Sequence, residues 1–165
     1  MNDPKLKECL TTVLCRVLEQ AAFVFPEPTG EVQKIDPQAV PFIQVSLSFS
    51  GAKSGQVSLI MPKALCGAFS ANMLGESPEE SESPDTQIDA AKEIGNIVTG
   101  QLLSEFYGTQ AMFDQTAPEV VELSPEAFFA TLDGREYVCS MVDEHPVIAL
   151  FTETGTAYEH QSSHR

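Results

Sequence analysis

Basic side chains are scarce: nine Lys and Arg stand against 24 Asp and Glu, a formal charge of −15 over 165 residues. A nucleic-acid binder must neutralise phosphates with cations, so a surface of this sign excludes DNA and RNA as partners. Acidity also serves solubility, and by itself it names no partner. Cys-x-x-Cys pairs are missing. Cys9, Cys15, Cys66 and Cys139 each stand beside Leu or Val, as small buried hydrophobes do. His145, His160 and His164 lack metal-ligand spacing, so no metal site is expected. A long apolar run is also missing at the start, where Asp3, Lys5, Lys7 and Glu8 punctuate Met1–Leu10. Neither a signal peptide nor a membrane helix is expected, and the reading is a soluble, cytoplasmic protein without a membrane partner.

What is present is enough apolar residue, 42% of the chain, for one proper core. One domain is expected over 1–155, followed by a polar tail over 156–165. Leu6, Leu10, Val13, Leu14, Val17, Leu18 and Ala21 recur at helical spacing, and Pro26 and Pro28 close that run. From Phe42 to Phe49 the period changes to two, with Ile43, Val45, Leu47 and Phe49 on one face of a strand. Gly51 and Gly55 flank a turn into a second arm, Gln56–Met61, and Pro62 opens a short helix that ends at Gly75. Glu76–Asp85 holds only Ser, Glu, Pro and Asp and reads as a solvated linker. A long helix follows, from about Thr86 to Tyr107, with Gly108 as its stop. Strands are expected at 111–113, 119–123, 136–142 and 147–152, separated by Pro125, Asp133-Gly134 and Asp143-Glu144-His145-Pro146. The sum is an α+β fold, helices packed on one face of a largely antiparallel sheet.

The long helix carries the chemistry. At about 100° per residue, Ile88, Ala91, Gly95, Val98, Leu102 and Phe106 fall on one stripe, which packs on the sheet. Asp89, Glu93, Asn96 and Gly100 fall on another, roughly opposite and facing solvent. An ordinary solvated face is the bland explanation of such a stripe. Against it stand Gly95, Asn96 and Gly100, poor helix formers inside the strongest helical pattern of the chain, Gly by about 1 kcal/mol relative to Ala. Gly95 lies on the packed stripe and reads as close helix–sheet contact. Gly100 lies on the exposed one, where it would let another protein come near.

At these residues the chain resembles the CheC/CheX/FliY phosphatases, whose motif is Asp or Ser, three residues, Glu, two residues, Asn, twenty-one residues, Pro. Asp89, Glu93, Asn96 and Pro118 match it. Ser54-Gly55-Gln56-Val57, Met73-Leu74-Gly75 and Pro118-Glu119-Val120-Val121 look like the family's corresponding segments. CheC-like members carry two motifs, but the opening helix here has no Glu followed three residues later by Asn, so one site remains, as in CheX. The resemblance implies a CheX-like fold and a phosphatase that removes the phosphoryl group from the aspartate of a CheY-like response regulator, ending a chemotaxis or motility signal. It implies no cofactor of the chain's own, because the regulator supplies the acyl phosphate, Mg2+ and a lysine. Asn96 would orient the attacking water, since an amide accepts and donates without changing charge. Glu93 resembles the glutamate that pairs with the regulator's lysine. Asp89 either supports the site or is a carboxylate favoured by the helix N-terminal dipole. Pro118, with no group to offer chemistry, is scaffold.

Two other readings stand beside this one. Asp89 and Glu93 are a thin but conceivable magnesium set, and a CheX-like domain can bind a regulator or join a flagellar switch without turnover. CheX relatives form homodimers with sheets joined across the interface. A homodimer is therefore expected, with an edge strand near Val147–Thr152 and with Ile94 and Ile97 as apolar surface flanking the stripe.

Overall fold

The computed structural model describes residues 3–77 and 83–155. The expected tail over 156–165, with His160 and His164, lies outside them, as does 78–82 in the middle of the Ser/Glu/Pro tract.

Helix α1 spans Pro4–Ala21. Asp3 caps it, its side chain accepting from the N–H groups of Lys5 and Leu6 at 3.0 and 3.3 Å. A short strand β1, Glu27–Thr29, lies where the two prolines were expected only to end the helix, and a single 3-10 turn, Val32–Lys34, follows. Strands β2 (Phe42–Gly51) and β3 (Ser54–Pro62) form the expected hairpin. Helix α2 (Lys63–Leu74) then stops at Gly75, whose φ of 67° is left-handed. Helix α3 spans Pro84–Tyr107, starting on Pro84 rather than Thr86 because proline's fixed φ suits a first turn.

Beyond α3 come β4 (Phe113–Gln115), β5 (Glu119–Leu123), α4 (Pro125–Leu132), β6 (Glu136–Val142) and β7 (His145–Gly155). Helix α4 is a correction: Pro125, expected to separate strands, is its first residue. Ser124 caps it by accepting from the Ala127 N–H at 3.2 Å. Strand β4 is a second correction, two residues later than expected. A third is the last hairpin, whose turn holds only Asp143 and Glu144, both at positive φ, while His145 and Pro146 pair in the strand.

Among the described residues, all seven strands join one antiparallel sheet in the order β1-β6-β7-β3-β2, and the far side of β2 is shared by β4 and β5. Strand β7 therefore sits in the interior, bonded to β3 on one side and β6 on the other. The expectation that Val147–Thr152 is an edge is wrong, because both rows of its backbone groups are already paired. The edges are β1 and the β4/β5 line.

Helices α1, α2 and α3 cover one face of the sheet, as expected. Their Leu10, Leu14, Phe69, Ile94, Val98 and Leu102 pack on Ile43, Val45, Leu47 and Phe49 of β2 and on Val57 and Leu59 of β3. Arg16 of α1 ties the helix layer together, its Nε donating to Gln101 Oε1 at 3.1 Å and its Nη2 pairing with Glu105. Alternation along β2 sends Phe42 to the opposite face. There α4 adds a smaller core in which Phe128 and Leu132 meet Phe42, Ile60, Ile148 and Leu150. The Phe42 and Phe128 rings lie 4.9 Å apart between centroids.

Candidate functional site

Helix α3 presents the two expected stripes. Ala91, Gly95, Val98 and Leu102 are buried against the sheet, whereas Asp89, Glu93 and Asn96 are exposed and Gly100 is half-buried. Gly95 explains how the helix comes so close to the sheet. A Cβ there would lie 2.9 Å from Val45 Cγ1 and 3.1 Å from Leu47 Cδ1, closer than packed carbons tolerate. The backbone immediately before Asn96 thus rests directly on β2.

Pro118 enters the same neighbourhood from the sheet edge. Strand β5 pairs with β2 at Ser46↔Glu119 and Val45↔Val120, and half-buried Pro118 immediately precedes its first residue. Helix α3 and the strand that follows Pro118 thus both pack on β2. Asp89, Glu93 and Asn96 are exposed, while Pro118 leads into β5.

Among the described residues, no hydrogen bond or ion pair engages the side chains of Asp89, Glu93 or Asn96. Cavities lie elsewhere, such as the one of about 650 Å³ lined by Lys7, Thr11, Thr29, Tyr137 and Val138. An exposed carboxylate and an exposed amide on a convex helix face cannot enclose a small substrate. They can meet a macromolecule that brings its own reactive centre.

Two expectations need amendment here. Ile94 is not apolar surface beside the stripe: it is fully buried, because flanking helices close over α3 on that side, and only Ile97 stays partly exposed. Gly100 does face outward, yet its neighbour is supplied by the chain itself. A Cβ on Gly100 would meet Gln115 Nε2 at 3.8 Å, an ordinary contact. Gln115, the exposed last residue of β4, was passed over in the sequence because the strand was expected two residues earlier.

Among the described residues, no group of three or more His, Cys, Asp or Glu is placed to hold a metal ion. Burial pushes the thiols of Cys66 and Cys139 up to about 11, which keeps them protonated and unreactive. No helix among the described residues is long and apolar enough to cross a membrane.

A family model described as "Chemotaxis phosphatase CheX" matches residues 43–141, well over half of the chain and all of the motif from Asp89 to Pro118. The chain belongs to the CheX family. Solved structures agree on the fold. CheX from Vibrio vulnificus is similar over 93% of this chain and 100% of its own, at 19% identity and a TM-score of 0.68. The CheX–CheY–BeF3–Mg2+ complex from Borrelia burgdorferi matches over 88% of this chain and 96% of the other, at 17% identity and a TM-score of 0.63. FliY from Thermotoga maritima matches over 100% of both chains at 15% identity and a TM-score of 0.56. No curated protein matches in sequence. The CheX family is a chemotaxis family, and in this chain Glu93 and Asn96 lie on the exposed stripe of α3.

Proposed function

We propose that this CheX-family protein hydrolyses the phospho-aspartate of a CheY-like response regulator. The observation that carries the proposal is the pairing of Glu93 and Asn96 on one exposed stripe of α3, in a chain whose family is described as a chemotaxis phosphatase. The neighbour from Borrelia burgdorferi, a CheX bound to CheY with BeF3 and Mg2+, supports the choice of partner.

In this reading the regulator holds the acyl phosphate and Mg2+, and its lysine meets Glu93. A charge-assisted hydrogen bond fixes both affinity and register. Asn96, one turn further along, then projects toward the phosphorus. Its carboxamide holds a water in line with the bond to be broken. The water oxygen attacks phosphorus, the bond to the aspartyl oxygen breaks, the carboxylate leaves, and inorganic phosphate carries away the transferred oxygen. Positioning and electrostatics supply most of the acceleration in such transfers. Asp89 supports the docking face, Pro118 holds the strand beneath it, and the protein works as a homodimer.

The test is phosphate release from a CheY-like regulator charged with acetyl phosphate in the presence of Mg2+. Wild type is expected to accelerate decay, and Asn96→Ala to abolish the acceleration while still binding the regulator. No acceleration by wild type would sink the phosphatase reading. The likeness to FliY keeps one rival in view, a module that docks on a regulator or in a flagellar switch without turnover. Binding of a BeF3-charged regulator with no phosphate release would establish that rival.

A further inference from the structure

We infer that Gln115 is a specificity-determining residue of this site, a second neutral amide that hydrogen-bonds the docked regulator. The inference rests on the docking reading above. Its basis is position: Gln115 pairs with Phe49, so alternation sets it on the helix side of the sheet, and its Nε2 lies 3.8 Å from the Cβ position of Gly100. Gly100 is four residues after Asn96, which places the Gln115 carboxamide about 6 Å further along the axis of α3. The exposed stripe thus continues off the helix onto the sheet edge, from Glu93 through Asn96 to Gln115.

The backbone there is held firmly. Gln115 ends the β4 ladder, and the next residue is clamped twice to β2: the Thr116 N–H donates to the Ser48 carbonyl at 2.9 Å, and the Ser48 N–H donates to Thr116 Oγ1 at 3.0 Å. The side chain, by contrast, is exposed and makes no hydrogen bond among the described residues. Two donors and an acceptor are therefore presented on a fixed base, which lowers the ordering cost to a partner. A neutral group also suits this place. Asp114 is its chain neighbour, and Asp89 and Glu93 share the stripe, so an amide can donate to an acceptor on the regulator without adding to the local negative charge.

The rival role is a cover, the side chain doing no more than fill the space above Gly100. Gln115→Ala and Gln115→Glu separate the two, because the glutamate keeps the shape over Gly100 and removes both donors. Measured on a charged regulator, both variants are expected to raise KM about five- to tenfold with kcat within about twofold, the size of one lost hydrogen bond. The urea midpoint should stay unchanged. An unchanged KM in Gln115→Ala, or a KM restored to the wild-type value in Gln115→Glu, overturns the inference. If wild type releases no phosphate, calorimetry with BeF3-charged regulator still decides: a five- to tenfold weaker Kd for Gln115→Ala supports it on about the same scale, and an equal Kd, or no binding by wild type, overturns it.

Discussion

Gly95 and Gly100 are five residues apart on one helix, and alanine at each should move stability in opposite directions. Either substitution gains about 1 kcal/mol from helix propensity, since glycine loses more backbone freedom than any other residue. At Gly100 the added methyl meets only Gln115 Nε2, at 3.8 Å, so the gain stands. At Gly95 the methyl would sit 2.9 Å from Val45 Cγ1 and 3.1 Å from Leu47 Cδ1. Both neighbours are buried in the core, and Val45 is β-branched and stiff at χ1. Overpacking of that kind costs about 1–3 kcal/mol and requires α3 to lift from the sheet. The two variants should therefore differ by about 1–3 kcal/mol, with Gly100→Ala the more stable. Urea unfolding followed by far-UV circular dichroism measures the difference, and thermal midpoints should separate by about 2–4 °C per kcal/mol. A Gly95→Ala midpoint equal to or above that of Gly100→Ala would refute the claim that close helix–sheet approach is why position 95 is glycine.

Other consequences can be checked as directly. Glu144 holds a positive φ of 68° in the β6–β7 turn, so Glu144→Gly should raise stability by about 1 kcal/mol in the same urea assay. Ser124→Ala removes the cap of α4 and should cost about 1 kcal/mol. Cys66 and Cys139 hold their protons to about pH 11 when folded, whereas unfolded thiols ionise near their ordinary pKa of 9.0. Ionisation then favours the unfolded chain first, so their contribution is whole below pH 9, falls as pH rises toward 11, and should appear as a declining urea midpoint across that window. At pH 8 a thiol reagent should leave both unlabelled until the protein is denatured.

The exposed stripe of α3 was legible because three poor helix formers interrupt a strong period, and a reason was needed for each. The structure supplies one for Gly95 in Val45 and Leu47. The stripe's apolar flank was misjudged at Ile94, since a 3.6-residue period cannot say how wide a face the neighbouring helices will cover. Helix α4 was hidden by proline's double meaning. Pro125 ends a strand pattern and equally begins a helix, and Ser124 before it was the available cap signal. The interior place of β7 also had a signal: Val147-Ile148-Ala149-Leu150-Phe151 is continuous rather than alternating, as a strand buried on both faces must be. The two-residue turn at Asp143 and Glu144 carried none, because neither Asn nor Gly marks it.

The exposed stripe of α3 and the stripe that holds the helix in place share no side chain. Removing Asn96 or Glu93 breaks no hydrogen bond or ion pair among the described residues, and alanine is the better helix former at both positions. On the proposed reading, Asn96→Ala would therefore silence the protein without lowering its abundance, melting temperature or ability to dock. On the phosphatase reading proposed above, a folded and well-expressed member says nothing about turnover, which would rest on two exposed side chains.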